Sequence, residues 1–412
     1  MKFDSYTISS EIKINLEQLG FKRPTDIQFK AIPNILNGED VLAVAQTGTG
    51  KTAAFAIPII HKVQENKRFK KDLGIQALVM VPTRELALQI TKVFHELARN
   101  TKVRTISIYG GVEQETQQES LERGIDILVA TPGRMFDFLN QKSIDLRNLK
   151  TLILDEADQM LALGFYKDIK DVLHNIPADR QTLFFSATIN EEIKKLAYSL
   201  VTNPIRIQLS PKDPVSKNVS HALAFIEMDD KRFFLERYIK DFEALKILVF
   251  VRTKVRAERV KAAMERVNLS IECMHGDVEQ NERIEILNRF KNNDTKVLIT
   301  TDVNARGIDI PNVDLVINYD MPDVAENYVH RIGRTGRGRA KGTAVSFCAK
   351  EERDYLEAIE NYTGVKITRI EIDKGEKEAT ILFSDDGKDD WKSLIDQNET
   401  FEKKRKKKKK KS

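Results

Sequence analysis

The sequence predicts an α/β fold of two tandem domains, each a mainly parallel sheet flanked by helices, followed by a polar, basic tail. Three observations carry this. Short apolar, β-branched runs alternate with longer helix-like segments along most of the chain. A breaker-rich segment near the middle leaves a domain's worth of residues on either side. After about Glu371 the chain turns polar, and it ends in a run of lysine and arginine.

In chain order, the strand-like runs of the first half are Val41–Ala45, Ala77–Val81, Ile127–Ala130, Thr151–Leu154 and Thr182–Phe185. Those of the second half are Lys246–Val251, Lys296–Thr300, Leu315–Asn318 and Thr343–Phe347. Strands that are apolar almost throughout are covered on both faces, which is the mark of a parallel sheet between helices. Arg84–Arg99 and Thr253–Val267 are long enough to be such helices. Ser210-Pro211-Lys212-Asp213-Pro214 has turn chemistry and no apolar periodicity. The expected organisation is a first domain over 1–209, a linker over 210–218, a second domain over 219–370 and a mostly disordered tail over 371–412.

Composition bounds the function. No apolar run among the 412 residues reaches the roughly 18 that a membrane helix needs. Met1-Lys2-Phe3-Asp4 lacks the apolar stretch of a secretory signal. The two cysteines, Cys273 and Cys348, lie far apart, which fits a reducing cytosol and argues against a structural zinc site. A cytoplasmic protein with no membrane partner is expected. The net charge is +5, but Lys403–Lys411 carries nine positive charges, and without them the body is about −4. Any nucleic-acid binding by the body therefore needs local phosphate sites, with the tail as an additional contact.

The first such site is Gln46-Thr47-Gly48-Thr49-Gly50-Lys51-Thr52, between the strand Val41–Ala45 and the helix-like Thr52–Ile57. That context is what a phosphate-binding loop requires. Glycines let backbone N–H groups approach phosphate, Lys51 reaches the β- and γ-phosphates, and Thr52 offers a hydroxyl to Mg²⁺. Ala45 stands where the general pattern has glycine. The strand Thr151–Leu154 runs into Asp155-Glu156-Ala157-Asp158. A carboxylate at a strand end is the expected magnesium partner of such a loop, so Asp155 holds the metal and Glu156 orients and deprotonates the attacking water. ATP and Mg²⁺ are thus the expected cofactors.

Asp155–Asp158 spells the signature of the DEAD-box RNA helicases, and the chain resembles that family through a series of motifs in order. They include Gly20-Phe21 with Pro24-Thr25-Asp26-Ile27-Gln28, then Pro82-Thr83-Arg84-Glu85-Leu86-Ala87, Gly110-Gly111, Thr131-Pro132-Gly133-Arg134 and Ser186-Ala187-Thr188. In the second half they include Val249–Thr253, Gln280 with Arg283, Thr301-Asp302 through Arg306–Asp309, and His330–Arg337. The resemblance covers roughly 1–370, and the short flanks and lysine tail look most like the bacterial RhlE-type branch.

The resemblance implies two RecA-like domains and an ATP-dependent RNA helicase. Gln28 reads adenine, with Phe21 stacked on the base. Gly307 and Asp309 lie at the nucleotide, Asp309 on the ribose. Arg334 and Arg337 are arginine fingers, and His330 bridges to the Asp158 and Thr188 region. Ser186, Thr188 and Asp158 couple ATP to RNA. The RNA contacts are Thr83, Arg84, Gly111, Thr131, Arg134, Arg252, Gly276, Arg283 and Thr301. Such glycines, small hydroxyls and single arginines suit phosphate and sugar, so single-stranded or short duplex RNA is expected to bind with little sequence specificity. Ribosomal or RNA-decay proteins are conceivable partners. An ATP-gated RNA clamp with incidental unwinding would carry the same motifs. A DNA helicase is disfavoured by the adenine motif with Asp155–Asp158.

Overall fold

The computed structural model describes residues 2–45, 48–69, 73–209, 218–302, 313–336 and 341–384. The described residues to 209 form one compact unit and those from 218 another. In the first unit the order is α1 Ser10–Gln18, α2 Asp26–Leu36, β1 Val41–Ala45, α3 Lys51–Phe69, β2 Ala77–Met80, α4 Arg84–Leu97, β3 Thr105–Ile108, α5 Gln114–Glu122, β4 Ile127–Ala130, α6 Pro132–Asn140, β5 Thr151–Leu154, α7 Ala157–Ala162, α8 Tyr166–Leu173, β6 Gln181–Ser186, α9 Glu191–Leu200 and β7 Ile205–Leu209. In the second it is β8 Val219–Phe225, α10 Lys231–Asp241, β9 Ile247–Phe250, α11 Lys254–Arg266, β10 Glu272–Met274, α12 Gln280–Asn292, β11 Val297–Thr300, β12 Leu315–Asn318, α13 Ala325–Ile332, β13 Gly342–Cys348, α14 Arg353–Thr363, β14 Thr368–Ile370 and α15 Lys374–Phe383.

Each unit holds a seven-stranded sheet in which every pairing is parallel. The first runs β3-β4-β2-β5-β6-β1-β7 and the second β10-β11-β9-β12-β13-β8-β14. These are the same order, strand for strand, so the two units repeat one topology. The period of two sorts side chains between the faces of the first sheet. Ala43, Val79, Val129, Ile153 and Phe185 enter one apolar cluster with α2, α3 and α4. Leu42, Leu78, Leu128, Leu152 and Phe184 enter the other with α6, α7 and α9. Because all strands run one way, the loops after their C-terminal ends share one edge, where α/β sheets place their ligands.

The strands not anticipated from apolar runs are mostly the edges. β3, β7, β10 and β14 terminate the two sheets, and β7 reads Ile-Arg-Ile-Gln-Leu with only its middle residue buried. β8 is internal but carries Ser220 and His221, the latter satisfied by the Tyr328 hydroxyl at 2.8 Å.

The polar segment expected to be a tail from 371 begins instead with α15. Asp373 accepts from the Glu376 N–H at its start. Arg237 holds Thr380 and Glu376, both at 2.9 Å, and Lys377 meets Asp230 at 2.8 Å. The helix docks on α10 chiefly through charge and hydrogen bonds, which hydropathy patterning does not register. Residues 210–217 of the expected linker, Trp391 and Lys403–Lys411 lie outside the described residues.

Candidate nucleotide and nucleic-acid sites

The first sheet sets the candidate residues side by side along its C-terminal edge. Read across the strand order, Gly110-Gly111 follows β3, Thr131–Arg134 follows β4, Thr83-Arg84 follows β2, Asp155–Asp158 follows β5, Ser186 ends β6 and Ala187-Thr188 follow it, and Gly48–Thr52 lies after β1. Phosphate-type residues therefore occupy one end of the edge and nucleotide-type residues the other, with Asp155–Asp158 and Ser186–Thr188 between them.

At the nucleotide end, Gly48 and Gly50 take φ of +80° and +92°, which an L side chain rarely adopts. Buried Lys51 opens α3 and donates from Nζ to the Ala45 carbonyl at 3.0 Å. Its ammonium is thus folded back over the loop. Gln28 accepts from the Thr25 N–H at 3.0 Å, capping α2, and donates from Nε2 to the Gly50 carbonyl at 3.2 Å. A primary amide has two donors and two acceptor sites. One of each is committed here, to the helix start and to the loop. Phe21 is braced edge-on by Phe3, ring centroids 6.0 Å apart, and Phe3 is itself buried. Gln46, Thr47, Gly307, Asp309 and Arg337 lie outside the described residues.

Asp155 is buried and accepts from the Glu156 N–H at 3.0 Å. Burial pushes its carboxyl above the usual range, while Lys51 and that N–H pull the other way. A buried carboxylate within electrostatic reach of Lys51, taken with the hydroxyl of the next residue Thr52, has the donor chemistry that suits Mg²⁺. Glu156 sits at φ 51°, ψ 49°, left-handed for a side chain that avoids it, at a cost of about 1–3 kcal/mol. That conformation makes the abrupt turn from β5 into α7. Asp158 then accepts from the Thr188 hydroxyl at 3.2 Å and from the Ala187 N–H at 3.4 Å, so the loops after β5 and β6 are joined. Ser186 is fully buried, and its Oγ has no hydrogen-bond partner among the described residues.

At the other end, Thr83 caps α4 by accepting from the Leu86 N–H, and Thr131 occupies the N-cap position of α6. The Arg84 guanidinium lies against Gly111, where an added Cβ would fall 1.9 Å from Nη1. Arg134 donates to the Val112 carbonyl at 3.1 Å.

The second unit repeats the pattern. Gly276 follows β10, Thr301 follows β11 and Arg252 follows β9, the counterparts of β3, β4 and β2 in the shared order. Arg283 lies one turn into α12. His275 fixes the turn that carries Gly276: Nδ1 accepts from the Asp277 N–H and the other nitrogen faces Glu258. Cys273 brings a third metal-type ligand near these two. With both ring nitrogens engaged and burial pushing the Cys273 thiol up to about 12, this reads as a hydrogen-bonded turn. α13 ends at Ile332, with Gly333 as its C-cap and Gly336 at φ +65°. His330 is half-buried, and Arg334 is buried with Nε 3.3 Å from the His330 carbonyl. Arg331, not a solvated base, is buried and forks onto Asp302 at 2.6 and 2.7 Å.

Sequence reasoning missed a buried charge cluster. Lys231 opens α10 after loop 226–230, as Lys51 opens α3 after loop 46–50, so it is the topological counterpart of the phosphate-loop lysine. Its fully buried ammonium meets Glu352 at 2.5 Å, Asp320 at 3.7 Å and the Tyr319 carbonyl at 2.7 Å. Asp320 and Glu352 also hold Arg252, through its backbone N–H at 3.1 Å and its guanidinium at 3.4 Å. Loop 226–230, Ile-Glu-Met-Asp-Asp, has no glycine and three carboxylates. The repeat of strand order, with a lysine at equal offset, was the signal available.

A family profile described as "DEAD/DEAH box helicase" matches residues 25–196, and one described as "Helicase conserved C-terminal domain" matches 230–339. The chain is 39% identical over 363 residues to an ATP-dependent RNA helicase CshA of Listeria monocytogenes, covering 88% of this chain and 69% of that one. It is also 39% identical over 371 residues to a DEAD-box ATP-dependent RNA helicase CshA of Geobacillus kaustophilus, covering 89% and 78%. These relatives carry the name CshA, and the expected RhlE-type branch finds no support among them. Among solved structures, S. cerevisiae Dbp5 bound to RNA and ADP BeF3 matches with a TM-score of 0.82 at 31% identity, covering 94% of this chain and 100% of that one. Mss116p bound to ssRNA and AMP-PNP matches at 0.83 and 28%, covering 96% and 84%.

Proposed function

The chain belongs to the DEAD-box RNA helicase family and is an ATP-dependent RNA helicase, and on that premise we propose how its residues divide the work. The observation that supports the division is the order of strand ends along the first sheet, which puts Asp155–Asp158 and Ser186–Thr188 between the nucleotide residues and the RNA residues.

ATP binds after β1. Gln28 reads the adenine edge, Phe21 stacks on the base, and Gln46 through Gly50 offer backbone N–H groups to phosphate. Lys51 exchanges the Ala45 carbonyl for the β- and γ-phosphates, a charge-assisted contact stronger than the neutral one it leaves. Thr52 and Asp155 would hold Mg²⁺, which when bound neutralises charge on the β- and γ-phosphates. Glu156 orients the attacking water and takes its proton. Gly307 and Asp309 contact the nucleotide, and Arg334 and Arg337 meet γ-phosphate charge in the transition state. No second nucleotide is held at the counterpart loop of the second unit, because Glu352 and Asp320 already neutralise Lys231.

RNA lies on the backbone-directed groups Thr83, Arg84, Gly111, Thr131 and Arg134 in one unit and Arg252, Gly276, Arg283 and Thr301 in the other. Asp158, bonded to Thr188, carries the state of the phosphate site toward the RNA end, and His330 joins that link when both ligands are bound. Bending one strand disrupts a few base pairs, each stacking step being worth about 0.6–2.2 kcal/mol. Unwinding is thus local, and release follows hydrolysis. The setting is the cytoplasm, consistent with the lack, among the described residues, of any helix long and apolar enough to cross a membrane. Ribosomal or RNA-decay proteins are proposed as recruiting partners.

The test is strand displacement from a short RNA duplex, run beside ATP-locked RNA retention and beside ATPase stimulation by RNA and by matched single-stranded DNA. Displacement that requires ATP and is favoured by RNA supports the reading. Retention without displacement favours the ATP-gated clamp, and equal stimulation by DNA contradicts RNA selectivity.

A further inference from the structure

Among the described residues β3 is an edge strand, paired only with β4. The Ile108 carbonyl accepts from the Thr131 N–H on that side, so the next residue, Tyr109, turns its backbone groups to the open side, where no strand receives them. Gln117, from α5, takes that place. Its Oε1 accepts from the Tyr109 N–H at 2.9 Å and its Nε2 donates to the Tyr109 carbonyl at 3.2 Å. The side chain is buried, so the pair is shielded from competing water. The clamp closes one residue before Gly110-Gly111. Gly111 has φ +80° and is packed by Arg84 from α4, and the Val112 carbonyl is held by Arg134 from α6. Three helices therefore each send one polar side chain to residues 109–112, and two of the three are proposed RNA contacts while Gln117 is not.

We propose that Gln117 is a positioning residue for RNA binding, fixing the Tyr109–Val112 backbone so that Gly111, Arg84 and Arg134 present one preformed phosphate-binding surface. This rests on reading those three as RNA contacts. A glycine pair such as Gly110-Gly111, with Gly111 at φ +80°, is free to take many other conformations, and without the clamp that freedom must be lost each time RNA binds. The clamp shifts that cost from binding to folding.

Gln117→Leu tests this without changing charge. The side chain borders a cavity of about 370 Å³ between α4, β3 and α5, so leucine has room. Losing the two-bond clamp is expected to raise the KM for RNA roughly tenfold, about 1.4 kcal/mol, which is toward the lower end of what two hydrogen bonds contribute. The kcat at saturating RNA and the KM for ATP should stay within about twofold, since the clamp acts before the chemical step. Gln117→Met keeps the length and neutrality of the side chain and loses both bonds, so its KM should rise as that of the leucine variant does; it carries the same test if the leucine variant does not fold. Arg84→Ala, run alongside, separates the inference from its premise. An unchanged RNA KM in Arg84→Ala overturns the placement of the RNA contact. A raised KM there with an unchanged one in Gln117→Leu, even if the melting temperature falls, overturns the role of Gln117 and leaves it a purely structural clamp.

Discussion

Replacing Lys231 by methionine tests whether the second unit has turned its copy of the phosphate-loop lysine into a structural anchor. The substitution keeps the length of the side chain and removes a fully buried ammonium 2.5 Å from Glu352 and 3.7 Å from Asp320. Burial lowers the lysine's pKa, so the protein works against desolvation to keep it charged, and the two carboxylates supply the offset. Breaking a buried pair from one side costs about 3–5 kcal/mol, because the partner is left charged and unpaired. The lower end applies here. Glu352 still accepts from the Met321 and Ala349 N–H groups and meets Arg252, and Asp320 still meets Arg256 at 2.8 Å. A loss of about 3 kcal/mol is roughly a hundredfold in the unfolding equilibrium. For a unit of this size it corresponds to a fall of about 6–12 °C in melting temperature. The assay is thermal unfolding of the full chain, with Lys231→Met compared against the paired Lys231→Met, Glu352→Met variant. Removing both charges strands no carboxylate but takes the acceptor from the Met321 and Ala349 N–H groups and the partner from Arg252, so the pair should recover only part of the loss. A fall of less than about 2 °C for the single variant would refute the reasoning.

Gln28→Ala removes both the cap on α2 and the tie to Gly50, and should raise the KM for ATP roughly tenfold while relaxing the preference for ATP over GTP; comparing kcat/KM for the two nucleotides checks it, and equal values in the unaltered protein would rule out adenine reading. Arg334→Ala should lower single-turnover hydrolysis by about 10³-fold or more with ATP affinity little changed; an affinity defect with normal chemistry at saturation would remove Arg334 from the transition state.

The central strands were legible because both their faces are buried. Apolar runs such as Val41–Ala45 and Thr151–Leu154 coincide with β1 and β5 residue for residue. The edges were not, because a half-exposed strand such as Ile205–Leu209 mixes Arg206 and Gln208 into the pattern. α15 escaped for a related reason, since Arg237, Glu376 and Lys377 hold it by charge. In the site, phosphate-loop glycines and strand-end carboxylates stand out because their chemistry is local. Gln117, Lys231 and Glu352 do not, since each acts through a partner distant in sequence: Glu352 lies far along the chain from Lys231, and only the fold brings them together. Gln28 shows both sides: the sequence offers it as a proposed adenine reader, while its work as the cap of α2 and the tie to Gly50 is seen only in the fold.

The measurement that tests the central claim most directly is RNA retention and single-turnover ATP hydrolysis by Glu156→Gln, with the unaltered protein in parallel. Glu156 occupies a strained left-handed turn between the strand that ends at Asp155 and the helix that carries Asp158, and the amide preserves its shape while removing the base. The account predicts that the variant binds ATP and RNA together, holds the RNA, and hydrolyses ATP at least about 10²-fold more slowly, the lower end of what a positioned general base contributes. Normal turnover by Glu156→Gln, or hydrolysis by the unaltered protein that RNA fails to stimulate, would contradict it.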